Sequence, residues 1–268
     1  MIRTLDVSGL SLALVDSGGV GRPVVFQHGL CGDHRQVDEL LPHDPAIRRL
    51  TLECRGHGRS QMGDPDALSI RTFADDVAMC VDRERLGPAV VGGVSMGAAV
   101  ALRLAVERPD LVAALILARP AWLVDAAPEN MKPMACVGRL LQRYAVSRAR
   151  TEFERSEVAA SLVASADNLA TLRSLFDRPS ASITSALLIA ISADGPRVTW
   201  TQVSAIAVPT LVVACDRDPI HPLSFAIEFA RRIPGARLER ITPKAVDRRL
   251  YARDFRNSVR CFINSLPA

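Results

Sequence analysis

Ala89-Val90-Val91-Gly92-Gly93-Val94-Ser95-Met96-Gly97-Ala98-Ala99-Val100-Ala101-Leu102 is the stretch on which the rest of the chain turns. Its first half is a short apolar run with β-branched residues, the pattern of a buried strand. The alanine-rich run after Gly97 suits a tightly packed helix, which places Ser95 on the turn between the two. That turn spells Gly-x-Ser-x-Gly. Gly93 and Gly97 carry no Cβ to meet a neighbouring strand or helix, so Ser95 can stand exposed in a strained backbone conformation. Its hydroxyl also meets the positive end of the following helix, where free backbone N–H groups can stabilise an oxyanion. The stretch therefore reads as a nucleophile elbow.

Strand and helix patterns alternate to either side of it. Residues 2–6 and 10–15, around Ser8-Gly9, predict an antiparallel hairpin at a sheet edge. Residues 23–27 predict a short buried strand leading into His28-Gly29-Leu30-Cys31-Gly32, and residues 48–53 the next strand. Between them, residues 33–41 suit a helix. Residues 69–85 space Phe73, Val77 and Val81 helically behind a plausible Ser69 cap. Residues 111–118, 208–214 and 236–241 complete the strands, with helices over 222–232 and 250–266. Such alternation predicts an α/β fold, a mostly parallel central sheet with helices on both faces. Residues 121–200 lack short β-branched runs and carry helical patterns over 137–149, 152–164 and 168–176, so the expected organisation is a core of 1–120 and 201–268 with a helical insertion.

Four motifs in order resemble the α/β-hydrolase fold superfamily: Gln27-His28-Gly29-Leu30, Glu53-Cys54-Arg55-Gly56-His57-Gly58-Arg59-Ser60, the Ser95 elbow, and Asp216-Arg217-Asp218-Pro219-Ile220-His221-Pro222. The resemblance implies a helical cap over the catalytic end of the sheet. It also implies an oxyanion hole built by the His28-Gly29-Leu30 segment, with the amides of Leu30 and Met96 as donors. Trp122, Met131, Met134, Tyr144, Phe153, Phe176 and Trp200 are candidates for an apolar pocket lining or for the cap's own small core. His57 is expected to order backbone rather than to react.

Serine needs a base to take its proton and an acid to orient that base. Asp218 resembles the family acid better than Asp216 does. The base should be a histidine after the last strand, near Ala245, yet no histidine follows His221. Three possibilities are open. His221 can swing in, although its separation of only three residues from Asp218 argues against bridging acid and nucleophile. Lys244 can act if burial lowers its pKa from about 10.4. Otherwise the chain has no base. The leading expectation is an enzyme acting on a small, largely apolar ester, thioester, lactone or related carbonyl compound. A lyase, cyclase, isomerase or decarboxylase on the same fold, or an inactive ligand-binding relative, remains open.

Composition narrows the class. With 268 residues, 49% hydrophobic and 23% charged, the chain is globular and can bury a large core. The net charge of +4 is spread along it without interleaved aromatics, so nucleic-acid binding is not expected. No apolar run approaches the roughly 20 residues needed to span a bilayer and no leader pattern opens the chain, so a cytoplasmic protein is expected. Six scattered cysteines without CxxC spacing predict free thiols and no metal site. No cofactor motif is present.

Overall fold

The computed structural model describes residues 1–267. Eight strands form one sheet in the order β1-β2-β4-β3-β5-β6-β7-β8. β1 (Ile2–Val7) and β2 (Leu10–Asp16) make the antiparallel hairpin at one edge, and β2 also pairs antiparallel with β4 (Ile47–Leu52). From β4 onward the pairing is parallel, through β3 (Arg22–Gln27), β5 (Ala89–Val94), β6 (Val112–Ala118), β7 (Thr210–Ala214) and β8 (Arg237–Arg240).

β5, all six of whose residues are buried, lies at the centre. This is what a strand covered by helices on both faces requires. One apolar layer joins β5 and β6 to α2 (Ile70–Glu84) and α3 (Met96–Glu107), with Phe73, Val77, Val81, Val100 and Leu104 buried. The opposite layer packs Val24, Phe26, Val90 and Ile116 against α1 (His34–Leu40) and α11 (Arg248–Asn264), through Val37, Phe255, Val259 and Phe262. Ser69 caps α2 by accepting from the Thr72 amide, as its position before the apolar spacing suggests.

All strands of the parallel set run their carboxyl ends to one side, where loops gather the functional residues. Between β6 and β7 the chain carries helices only: α4 (Lys132–Arg143), α5 (Val146–Glu154), α6 (Glu157–Ser161), α7 (Ala166–Ser174), α8 (Ala181–Ala193) and α9 (Trp200–Ser204). Their boundaries differ from the periodicity. A single helix expected over residues 137–149 breaks at Tyr144, whose backbone is extended at φ −132 and ψ 156. No glycine or proline marks that break, and the Tyr144 ring lies under the guanidinium of Arg148 at 4.4 Å. The run over 152–164 is likewise cut where Ser156 caps α6. α10 (Leu223–Arg232) and β8 close the core before α11.

Candidate active site

The elbow exists because two glycines touch. A Cβ on Gly93 would lie 2.4 Å from the Gly97 backbone, and one on Gly97 would lie 2.4 Å from the carbonyl oxygen of Gln27 in β3. With both contacts closed, Ser95 is held at φ 58, ψ −113, a conformation costly for an L-residue. Its amide donates to the Ala118 carbonyl at 2.9 Å, which ties the turn to the end of β6. Cys31, Arg119 and Arg217 also have positive φ, and they follow the carboxyl ends of β3, β6 and β7. Of these, Ser95, Arg119 and Arg217 line one cavity.

Three side chains join in series there. His221 Nε2 lies 2.9 Å from Ser95 Oγ, and His221 Nδ1 lies 2.9 Å from Asp218 Oδ2. The short separation of His221 from Asp218 is no obstacle, contrary to the sequence expectation. The His221 amide donates to the Asp218 carbonyl at 3.2 Å, and this turn folds the imidazole back over its own acid. Asn130 holds the same turn from outside, its Nδ2 donating to the Ile220 carbonyl at 2.7 Å. Lys244 and Ala245, near the site where a histidine was sought, line the same cavity of about 140 Å³ with Gly29, Leu30, Met131 and Met134. Among the described residues, Lys244 makes no hydrogen bond to Ser95, and the side chain in contact with that hydroxyl is His221.

A match to the family model described as "Serine aminopeptidase, S33" covers residues 20–244. The chain is a member of the α/β-hydrolase superfamily. Among curated proteins, this chain is 26% identical over 231 residues to AB hydrolase superfamily protein YisY of Bacillus subtilis, covering 84% of each chain. It is 39% identical over 104 residues to Lipase LipV of Mycobacterium tuberculosis, 39% of each chain. That match and the one to the sn-1-specific diacylglycerol lipase ABHD11 of Mus musculus span only 39% and 41% of those relatives. Among solved structures, the enol-lactonase from Burkholderia xenovorans LB400 superposes with a TM-score of 0.74 at 22% identity, over 98% of this chain and 100% of that one. At that identity the likeness shows the fold.

Two residues of this α/β-hydrolase-fold chain without any signal in the sequence complete the charge arrangement. Arg119, directly after β6, donates through Nε to Asp218 Oδ2 at 3.0 Å, and its Nη2 lies 3.0 Å from His221 Nδ1. Asn168, on α7, donates to Asp218 Oδ1 at 2.8 Å. Burial alone would raise the Asp218 carboxyl, but the charges of His221 and Arg119 and their hydrogen bonds overcome it and hold the group well below the usual carboxylate range. Burial and then the Arg119 guanidinium push His221 below the ordinary 6.5, against the pull of Asp218. Lys244 is lowered from 10.5 by burial, then by Arg119 and Arg248. Neither arginine nor asparagine had a motif to announce it; each meets Asp218 only through the tertiary fold.

Other candidates take structural places. Trp122 is buried, with Nε1 donating to the Asp194 carbonyl at 3.0 Å, and it is not part of the cavity wall. The His28 ring is fully buried and accepts from the Cys54 amide at 3.1 Å, so only its neighbours Gly29 and Leu30 reach the cavity. His57 accepts from the Cys31 amide at 3.0 Å and orders that loop, as expected. Burial pushes the Cys31 thiol up to about 11, which removes it as a nucleophile at neutral pH. Phe153 and Phe176 pack on each other at 5.6 Å within the helical insertion, and Trp200 packs on Phe229 at 5.8 Å. Of the apolar candidates, Met131 and Met134 line the cavity.

Proposed function

We propose that this hydrolase cleaves small carboxylic esters, thioesters or lactones through Ser95, with His221 as general base and Asp218 as the acid that orients it. The observation that carries this reading is the 2.9 Å contact between His221 Nε2 and Ser95 Oγ. An ionised carboxylate only accepts hydrogen bonds, so Asp218 favours the tautomer in which Nδ1–H donates to it and the Nε2 lone pair faces the serine. Ser95 Oγ then attacks the carbonyl carbon as its proton passes to Nε2. The tetrahedral oxyanion is received by the Leu30 and Met96 amides. Met96 opens α3, so its N–H is among the helix's unpaired first-turn donors. Collapse of the intermediate returns the proton from Nε2 to the departing oxygen or sulfur, and water repeats the sequence on the acyl-enzyme.

Arg119 makes this base unusual. Its guanidinium keeps Asp218 charged, yet it also faces the imidazolium that forms during transfer and disfavours it. His221 is consequently a base that stays neutral into mildly acid solution. Residues 121–200 serve as a cap whose Met131 and Met134 cover the apolar part of the substrate. The names of the relatives, among them a pimeloyl-[acyl-carrier protein] methyl ester esterase of Neisseria meningitidis 27% identical over 220 residues, support ester chemistry.

Intact mass after exposure to a fluorophosphonate tests the proposal. Stoichiometric labelling that disappears in both Ser95→Ala and His221→Ala is the expected result. A folded protein left unlabelled overturns it and favours a non-hydrolytic or ligand-binding role.

A further inference from the structure

The Ser95 cavity wall carries three cations, Arg119, Arg217 and Lys244, and as many carboxylates, but the pairing leaves two of the cations unused. Three carboxylates belong to its wall, Asp167, Asp216 and Asp218. Each already has a guanidinium: Arg248 at 3.0 Å from Asp167, Arg240 at 3.4 Å from Asp216, and Arg119 on Asp218. Two cations in the same wall, Lys244 and Arg217, have no carboxylate partner and no side-chain hydrogen bond among the described residues. Lys244 is half-buried, so its ammonium has given up part of its water without a counter-ion among the described residues, at a net cost. Of the groups whose charges reach it, Arg119 and Arg248 repel it, and Glu39 and Asp167 attract it from beyond contact distance. An anion entering the cavity removes that cost.

We infer that the substrate carries an anionic end, a carboxylate a few bonds from the reacting carbonyl, which Lys244 binds from within the cavity and Arg217 from its rim. This rests on the esterase reading above and narrows it from an apolar ester to the half-ester, half-thioester or lactone acid of a short dicarboxylic acid. The wall offers both characters: Met131 and Met134 are apolar, and the two cations come from the loop after β7 and from Lys244. The lysine that stands near the expected histidine position thus acts in binding and not in proton transfer.

Binding can be read without turnover. In the Ser95→Ala protein, isothermal titration with glutarate is expected to show saturable binding that weakens at least tenfold in K244Q and again in K244Q/R217Q, while K244R retains most of it. Native protein is then compared on monomethyl and dimethyl glutarate, which share acyl chain and leaving group. The ratio of their kcat/KM values should favour the monoanion by about tenfold or more and collapse in K244Q, because a charged hydrogen-bond contact is worth about that factor. Absence of glutarate binding, or binding and a substrate ratio indifferent to K244Q and to salt, overturns the inference. Dimethyl glutarate turnover and fluorophosphonate labelling report separately on the esterase reading, so the two can fail independently.

Discussion

Replacing His221 by alanine separates the possible bases by magnitude. If His221 takes the Ser95 proton, its loss removes the imidazole in contact with the nucleophile and leaves oxyanion binding and pocket contacts. Deleting the base of such a triad costs about 10⁴- to 10⁶-fold in kcat, or about 5.5–8 kcal/mol of transition-state stabilisation. If His221 merely donates a hydrogen bond to Ser95 while Lys244 is the base, the loss is that of one neutral hydrogen bond, about 0.5–1.5 kcal/mol, or roughly 2- to 12-fold. The two outcomes differ by three orders of magnitude or more. His221→Ala should fold, because Asp218 keeps Arg119 at 3.0 Å and Asn168 at 2.8 Å, and a thermal melt checks this. Turnover of a neutral ester, followed with the rate of fluorophosphonate labelling, gives the measurement. Lys244→Met on the same ester is expected to cost about tenfold or less. A His221→Ala protein that is folded and within tenfold of native activity refutes the assignment.

Further outcomes follow from the same contacts. Asp218→Asn leaves the Arg119 guanidinium in a largely buried site without its anion and should cost about 3–5 kcal/mol of stability in chemical denaturation, together with most activity through loss of the Nδ1–H tautomer. The kcat/KM profile should rise with its midpoint below pH 6.5, since the base must be neutral and its proton affinity is lowered. Arg119→Gln should move that midpoint upward by removing the repelling charge. His28, His57 and His221 are all lowered, so the unfolded chain takes up protons near 6.5 before the folded one does. Stability should therefore be full above that pH and fall as pH drops through the folded values, more shallowly in a His57→Gln variant that still folds. Gly97→Ala places a methyl 2.4 Å from the Gln27 carbonyl and should destabilise by about 3 kcal/mol or more, measured by urea unfolding.

What the chain alone determined is whatever depends on near neighbours. The elbow was legible because Gly93, Ser95 and Gly97 lie within five residues, and the sheet because β-branched runs alternate with helical spacing. Asp218 could be placed by its strand and its proline. The absence of a histidine after β8 was equally plain in the order of residues. Only the tertiary structure shows which imidazole meets the serine. A turn over residues 218–221 brings Nδ1 and Nε2 of one imidazole to the acid and to a serine 126 positions away, and spacing in sequence does not encode that distance. Arg119 and Asn168 reach Asp218 from 99 and 50 positions off, through the end of β6 and a helix of the insertion. The pairing that leaves Lys244 and Arg217 without a carboxylate among the described residues likewise exists only once arginines from other segments have claimed the neighbouring ones. Local chemistry is written along the chain, whereas pairing between remote charges is settled by which segments the packed core brings within a few ångströms.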